Sequence, residues 1–201
     1  MATLLALCDQ LRQRPFDYLS AECALALDGF FVGYGYANAA IREPLQRVRG
    51  RFPGSSEMPA FRRAFLASPD PRTGFHRALD ALEVELRVAE PPPSDVRSGP
   101  PLIDWILDSI EARTTGLYLM EPTSACLFET LNGYRCGVAP LDPAEAEQQR
   151  ATLERFERWM RDYYAPAEAP WHAILRVHGG SLTVLEKFSQ LYRKFLAADG
   201  A

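Results

Sequence analysis

The sequence contains few of the residues that most often build metal and acid–base sites. Only 3 histidines and 4 cysteines occur in 201 residues. His76, His172 and His178 belong to no HExxH motif, and the cysteines form no paired CxxC. Because metal sites usually draw their ligands from such closely spaced groups, we expect no metal site in this chain.

Long hydrophobic runs are also absent. No stretch approaches the roughly 18 apolar residues that a membrane-spanning helix needs. The opening MATLLALCDQLRQR has no basic segment before its apolar part, which Asp9 interrupts, so it does not match a signal peptide. The scattered cysteines fit reduced, buried thiols. These features predict a cytoplasmic protein without membrane attachment.

Motifs for phosphate binding and nucleophilic catalysis are missing as well. GxxxxGK[ST] does not occur, and the glycines of GFFVGYG follow no strand. Cys8, Cys23 and Cys126 stand at apolar periodic positions, which indicates core packing. Ser181 stands where a helix cap is needed. We therefore expect no catalytic residue and no cofactor.

What the sequence does contain is a helical pattern. Hydrophobic residues make up 47% of the chain and charged residues 24%, a typical globular composition. Apolar residues recur at helical spacing, as in Leu4, Leu7, Cys8 and Leu11, and no segment has a convincing strand pattern. The sequence predicts an all-α protein of about eight helices, arranged as two tandem pseudo-repeats of about four helices each.

Two segments about 100 residues apart resemble each other. RQRPFDYLSAECALALDGFFVGYGYAN begins at Arg12, and EARTTGLYLMEPTSACLFETLNGYRCG begins at Glu111. Fixed-period self-similarity is typical of repeated structural units. The shared signature pairs Arg14 with Arg113, Tyr18 with Tyr118, Gly33 with Gly133, and Tyr34 with Tyr134.

The repeat sets the expected domain boundaries. Residues 1–89 form the first predicted repeat and 102–201 the second. Between them, residues 90–101 read EPPPSDVRSGPP, and consecutive prolines cannot lie inside a helix. We expect this segment to be a linker and the two repeats to pack as one globular unit.

The predicted second helix, capped by Ser20 and reaching about Ala40, carries Gly29, Gly33 and Gly35. Each glycine costs roughly 1 kcal/mol relative to alanine inside a helix. Close helix–helix contact would offset that cost, with the tyrosine of each Gly-Tyr pair reaching a backbone acceptor. Arg14 is expected to bond the last carbonyls of the first helix.

Charge is distributed unevenly along the chain, whose net charge is −4. Acidic residues dominate positions 104–147, and arginines dominate positions 42–63, which suggests either solvated helix faces or binding surfaces. The candidate partner contacts are Asp104, Asp108, Glu111, Glu121 and Glu129, together with Tyr36 and Arg135. The candidate contacts for nucleic acid, which we regard as the weaker alternative because the chain is acidic, are Arg42, Arg47, Arg49, Arg51, Arg62 and Arg63.

The string RPFDYL, followed by an apolar helix ending in Gly-Tyr, resembles a class of small bacterial proteins. Members of that class have an RPxMYLG-type turn before a helix ending in FxxGY. Here Phe16-Asp17 stands where Gly-Met is usual, and Ser20 replaces the glycine. The class sits beside secreted polymorphic toxins and is regarded as immunity proteins. The matching residues are Arg14, Pro15, Tyr18, Leu19, Phe30, Gly33 and Tyr34.

The resemblance implies a non-catalytic protein that binds and neutralises a cognate secreted bacterial toxin. An acidic surface would suit the basic cleft of a nuclease toxin, since opposite potentials speed association. Two alternatives remain open at this point. One is an adaptor or chaperone for a secreted effector, with an exposed apolar groove; the other is an enzyme with an unfamiliar all-helical site.

Overall fold

The computed structural model describes residues 2–54, 60–88, 101–111, 123–164, 170–178 and 183–199. Within these ranges the chain forms α-helices and two short 3-10 helices, Pro15–Asp17 and Ala39–Ile41, and it contains no strand. The all-α prediction is therefore confirmed. The α-helices are α1 Ala2–Gln13, α2 Ala24–Ala37, α3 Arg42–Arg51, α4 Ala60–Leu66, α5 Pro71–Val88, α6 Leu102–Glu111, α7 Ser124–Val138, α8 Pro143–Tyr164, α9 Trp171–His178 and α10 Val184–Asp199. No helix in these ranges has the length and apolar character needed to cross a membrane.

Local sequence signals explain most helix boundaries. Pro15 follows the end of α1 and opens a 3-10 turn. α8 begins at Pro143, and the backbone N–H of Glu145 donates to the Asp142 carboxylate at 3.0 Å. α10 begins after Thr183, which forms a capping box with Glu186. The Thr183 backbone N–H donates to the Glu186 carboxylate at 2.9 Å, and the Glu186 backbone N–H donates to the Thr183 hydroxyl at 3.3 Å. Ser181, the predicted cap, lies outside the described residues.

α3 is the helix that the sequence pattern does not reveal. Only Pro44 and Val48 are fully buried on it, and four of its ten residues are arginines. It is held by tertiary contacts with α4 and α5 rather than by an apolar stripe of its own. The start of α2 also differs from the prediction, because α2 begins at Ala24 and Ser20 bonds another helix instead of capping it.

The buried apolar residues form two clusters, one for each half of the chain. The first runs from Leu4 to Leu86 and includes the predicted apolar face of α1, Leu4, Leu7, Cys8 and Leu11. The second contains side chains from α6 to α10, together with Ala37 of α2. The segment 89–100 lies outside the described residues, so the linker and the superposition of the two repeats stay predictions.

The closest helix–helix contact among the described residues joins α2 to α7. A Cβ atom on Gly33 would lie 1.9 Å from the Thr130 carbonyl oxygen, and one on Gly133 would lie 1.8 Å from the Phe30 carbonyl oxygen. The two glycines thus make reciprocal contacts, each with the backbone of the other helix. Farther along, Gly29 faces Cys126, and Gly137 faces Tyr34, so the helices run parallel. We call this α2–α7 contact the seam.

The seam accounts for the glycines inside both helices. Small residues allow helix backbones to approach closely, and the resulting packing offsets their low helix propensity. Gly29 and Gly33 in α2, and Gly133 and Gly137 in α7, have the same four-residue spacing. The sequence-based expectation of close helix contact at Gly33 is confirmed.

Replacement of Gly133 by alanine should strongly destabilise the fold, because the new methyl group would overlap the Phe30 carbonyl and force the helices apart. We expect a loss of about 3 kcal/mol or more in the free energy of unfolding, measured by urea denaturation. Gly50→Ala is the matched control, since Gly50 is helical and a methyl group added there would have no neighbouring atom within 4 Å. The control should be neutral or stabilising by up to about 1 kcal/mol, and an equal loss in both variants would contradict the backbone-contact argument.

Candidate functional site

α7 presents a row of polar side chains to the first half of the chain, along the edge of the seam. The Asn132 amide donates to the Tyr18 carbonyl at 3.1 Å. The Thr130 hydroxyl lies 3.2 Å from the Gly29 carbonyl and 2.8 Å from the Cys126 carbonyl. Glu129 accepts a hydrogen bond from the Ser20 hydroxyl at 2.5 Å. These bonds attach the chain around residues 18–29 to α7.

Glu129 is one of two buried carboxyl groups whose pKa is raised in the described part of the chain. Its side chain is enclosed, with the whole residue only 4% exposed. Burial raises the pKa of Glu129 to about 7, and hydrogen bonds from Ser20 partly oppose that shift. The sequence places Glu129 on an acidic surface, and the structure corrects this expectation. Its burial follows from its place on the inner face of α7, beside Gly29.

Asp28 is the second buried carboxyl group. It belongs to α2, yet its Oδ1 accepts from the backbone N–H of Phe61 at 3.1 Å, so it caps the start of α4. Its Oδ2 is buried without a hydrogen-bond partner. Burial raises the pKa of Asp28 to about 7, against the lowering effects of the α4 backbone and Arg62. An ionised carboxylate at Asp28 has few favourable contacts to offset the hydration that it loses on burial.

The cysteines show no sign of activation. All four are free thiols. Burial raises the pKa of Cys8 to about 12, and it also raises the pKa of Cys23 and Cys136. Cys23 lies beside Glu129 and Asp28, whose negative charges raise its pKa further. Since the thiolate is the reactive form, these environments disfavour nucleophilic attack.

The histidines lie apart from one another in the described part of the chain. His76 Nε2 is 3.3 Å from a Glu22 carboxylate oxygen, and the His172 ring lies 4.4 Å from the Phe128 ring. The side chain of His178 lies outside the described residues. Across the ranges that the structure describes, no three metal-ligating side chains come together.

Arginines of the basic region make bonds inside the protein. Arg47 and Arg51 both contact Glu85, which is buried on α5. Arg63 is itself buried and donates to the carbonyls of Arg49 at 2.9 Å and Phe52 at 3.2 Å, which ties α4 to the end of α3. These arginines therefore contribute to the packing of the first half of the chain.

The predicted partner contacts are spread over several environments. Asp104 is exposed on α6. Tyr36 is half-buried on α2, with its ring 5.9 Å from that of Tyr134. Arg135 is half-buried in the last turn of α7. Glu121 and the side chains of Asp108 and Glu111 lie outside the described residues. Among the predicted acidic contacts that the structure describes, Asp104 is the exposed one.

The residues of the repeat signature have structural contacts. Tyr34 and Tyr134 are both buried. The Tyr134 hydroxyl donates to Glu145 at 2.9 Å, which is a side-chain acceptor rather than the expected backbone one. The Tyr18 hydroxyl donates to Gln10 at 3.0 Å. Arg14 is exposed, whereas Arg113 and Tyr118 lie outside the described residues.

An aromatic patch at the end of α8, formed by the exposed Tyr163 and the half-buried Trp159 and Tyr164, is not predicted by the sequence. Tyr163 fits the apolar stripe of α8 by spacing, but it is 52% exposed. Its ring stacks on Trp159 with centroids 5.0 Å apart, and Lys194 of α10 lies 5.7 Å above it. The concentration of aromatics in RWMRDYY is the signal that could have identified this surface.

No protein-family model, curated protein or solved structure matches this chain. Its function must therefore be inferred from the geometry of the described residues.

Replacement of Asp28 by asparagine should flatten the pH dependence of stability. The folded-state pKa of Asp28, about 7, lies above the ordinary aspartate value of 3.8. Asp28 therefore adds most to the stability of the folded state below about pH 4, and this stabilisation falls as pH rises through about 7. The asparagine oxygen can still accept from Phe61. We expect the decline of the unfolding free energy between pH 5 and 7 to become shallower by up to about 1.4 kcal/mol per pH unit.

Urea denaturation at several pH values measures this slope. Asp162→Asn, at an exposed position of α8, is the matched control and should leave the slope unchanged. A variant at Asp28 that kept the full wild-type slope would show that this carboxyl titrates normally in the folded protein.

Proposed function

We propose that this chain is a non-catalytic protein-binding protein that neutralises a cognate secreted bacterial toxin by occluding it. The proposal combines the sequence resemblance at Arg14–Tyr34 with the surfaces that the fold leaves exposed. It assigns the chain no reaction, and its partner is another protein.

The aromatic patch is the observation that carries the proposal. Exposed tyrosine and tryptophan are the residue types that most often anchor protein interfaces, because they bury much area with little loss of conformational freedom. Tyr163 is already held by stacking on Trp159 and by Lys194 above its face. A partner that covers Tyr163 would thus meet a preorganised ring, which lowers the entropy cost of binding.

The interior supports the same interpretation. Buried polar side chains join separate parts of the chain, since the Asn132 amide donates to the Tyr18 carbonyl and Asp28 caps the start of α4. The raised pKa values of Cys8, Cys23 and Cys136 keep the thiols protonated. Such groups stabilise a rigid scaffold, which suits a binding protein that must present a fixed surface.

The proposed electrostatic contact with the toxin depends on α6. Asp104 is exposed there, and positions 104, 108 and 111 have the spacing of one helix face. We infer that this face meets a basic region of the toxin and speeds association, while the aromatic patch slows dissociation.

An adaptor or chaperone for a secreted effector is the second candidate. Val84 and Val88 on α5 favour it, because they are four residues apart and are 44% and 72% exposed. An adaptor would use such an apolar face to hold a leader segment of the effector. Binding to that leader instead of the toxic domain would separate this function from neutralisation.

Neutralisation can be tested with the toxic domain encoded by the neighbouring gene. Cells that express this domain should grow when the full chain is co-expressed and should die without it. The two purified proteins should form a complex in size-exclusion chromatography. Growth arrest despite co-expression, with no complex formed, would rule out the proposed neutralisation of this toxin.

Within that complex, Tyr163→Ala should weaken binding by about tenfold to a hundredfold, because truncation removes an interface anchor. Isothermal titration calorimetry measures the change, and circular dichroism checks the fold. Phe16→Ala is the matched control, since Phe16 is an exposed aromatic in the other half, at 68% exposure. Equal affinities for wild type and Tyr163→Ala would remove the patch from the interface.

Charge reversal of α6, by Asp104→Lys, Asp108→Lys and Glu111→Lys together, should slow association by about tenfold at low salt. The salt dependence of the association rate should also fall, because fewer complementary charges remain. Stopped-flow kinetics across salt concentrations measures both quantities. Glu154→Lys, on the exposed face of α8, serves as the control, and unchanged kinetics in the triple variant would show that α6 does not face the toxin.

A further inference from the structure

The aromatic patch lies beside a positive charge that has no acidic partner among the described residues. Lys194 of α10 is exposed, and its ammonium lies 5.7 Å from the centre of the Tyr163 ring. Within the described ranges, Lys194 contacts no carboxylate. Three arginines along α8 differ in this respect, because Arg150, Arg155 and Arg161 each pair with an acid. The patch therefore combines aromatic surface with an unpaired cation.

Two phenol groups lie beside this cation. The rings of Tyr163 and Tyr164 have centroids 4.9 Å apart and an interplanar angle of 73°. Burial and the neighbouring Tyr163 raise the pKa of Tyr164, and Lys194 opposes that shift, so its ammonium acts on the Tyr164 hydroxyl as well. An ammonium and phenol hydroxyls can all donate hydrogen bonds, and together they suit an anionic acceptor.

A basic side chain of a partner fits the patch poorly. Cations bind aromatic side chains over the ring, and Lys194 already lies over the Tyr163 ring, on which Trp159 stacks with centroids 5.0 Å apart. A second cation would have to displace Lys194 or lie beside it, where like charges repel. An acidic side chain meets no such obstacle, because Lys194 attracts it.

The exposed part of Tyr163 offers an apolar contact next to the cation. Tyr163 is 52% exposed, whereas Trp159 and Tyr164 are half-buried and pack against its ring. A carboxylate at Lys194 alone would gain little, since exposed ion pairs are weak in water. An apolar neighbour that covers Tyr163 excludes water from the ion pair and strengthens it.

We propose that the aromatic patch recognises an acidic residue of the partner protein, an aspartate or glutamate next to an apolar residue. The carboxylate binds the Lys194 ammonium, with the phenol hydroxyls of Tyr163 and Tyr164 as further donors, and the apolar neighbour covers the Tyr163 ring. This recognition rests on the proposed function, in which the patch anchors the toxin, and it specifies the chemistry of the toxin segment that binds there.

The patch and the acidic α6 together fix the orientation of the bound partner. Burial raises the pKa of Tyr192 and Asp104 adds to the shift, so Asp104 of α6 lies near Tyr192 on one side of α10. Lys194 follows Tyr192 by two residues, or about 200° around a helix, and therefore lies on another side of α10. A toxin with a basic region opposite α6 and an acidic segment opposite the patch binds in one orientation.

Lys194→Met in the full chain tests the charge that the patch recognises. In the complex with the toxic domain, isothermal titration calorimetry should show about tenfold weaker binding, because the carboxylate loses its cation. Lys194→Arg keeps the positive charge and should retain most of the affinity. Arg158→Met is the matched control, since Arg158 is exposed on α8 and helical spacing places it away from Tyr163. This control should bind as the wild type does.

Asp162→Asn separates an acidic from a basic partner segment. Asp162 is exposed and precedes Tyr163, so its neutralisation should leave the binding of an acidic segment unchanged or make it tighter. Tighter binding by Lys194→Met, together with weaker binding by Asp162→Asn, would identify a basic segment and overturn the proposal. Equal affinities of Lys194→Met and wild type would also overturn it, while neutralisation of the toxin would stand.

Short peptides test the patch without the toxin. The probes are the acetylated and amidated tetrapeptides Gly-Leu-Glu-Gly, Gly-Leu-Gln-Gly and Gly-Leu-Lys-Gly, titrated into the isotope-labelled full chain at millimolar concentration. In NMR spectra the glutamate peptide should shift the signals of Tyr163 and Lys194 more than the other two peptides do, and Lys194→Met should abolish that difference. If the toxic domain forms no complex, the proposed neutralisation fails and the peptides alone decide on the patch. Equal shifts from all three peptides would overturn the recognition of an acid.

Discussion

The contact between the backbones of α2 and α7 is the constraint on which the rest of the structure depends. Gly33 and Gly133 each lie against a carbonyl of the opposite helix, at Thr130 and Phe30. No side chain fits between the helices there, so their relative position is fixed by main-chain atoms. Each half then completes its own apolar core on the outer side of this pair, with Ala37 and Cys136 packing across into the core of the other half.

The sequence predicted close helix contact at Gly33, because glycine inside a helix is costly and requires compensation. Repetition of the Gly-Tyr pair at Gly33-Tyr34 and Gly133-Tyr134 indicated a structural role, but it did not identify which helices meet. Apolar periodicity likewise predicted the buried face of α1, formed by Leu4, Leu7, Cys8 and Leu11. These signals are local, since each depends on residues within one or two helical turns.

The features that the sequence could not predict depend on partners far along the chain. Glu129 reads as a surface acid until Ser20, 109 positions away, is seen to donate to it. Asp28 caps a helix that begins 32 residues later, and Glu85 joins α5 to α3 through Arg47 and Arg51. For Tyr163 the sequence misleads in the opposite direction. Helical spacing places Tyr163 with the buried Phe156 and Met160, whereas the fold leaves it exposed.

Tight packing and buried charge are linked in this fold. Glu129 lies over the backbone of α2, beside Gly29, where the close approach of the helices raises the cost of ionising it. Asp28 lies on another side of α2, against the start of α4, and burial there has the same effect on its carboxyl. Each acid keeps a hydrogen-bond donor, since Ser20 donates to Glu129 and the Phe61 backbone donates to Asp28. These bonds explain why an acceptor stands at each position, and burial explains why each carboxyl holds its proton to a higher pH than an exposed acid does.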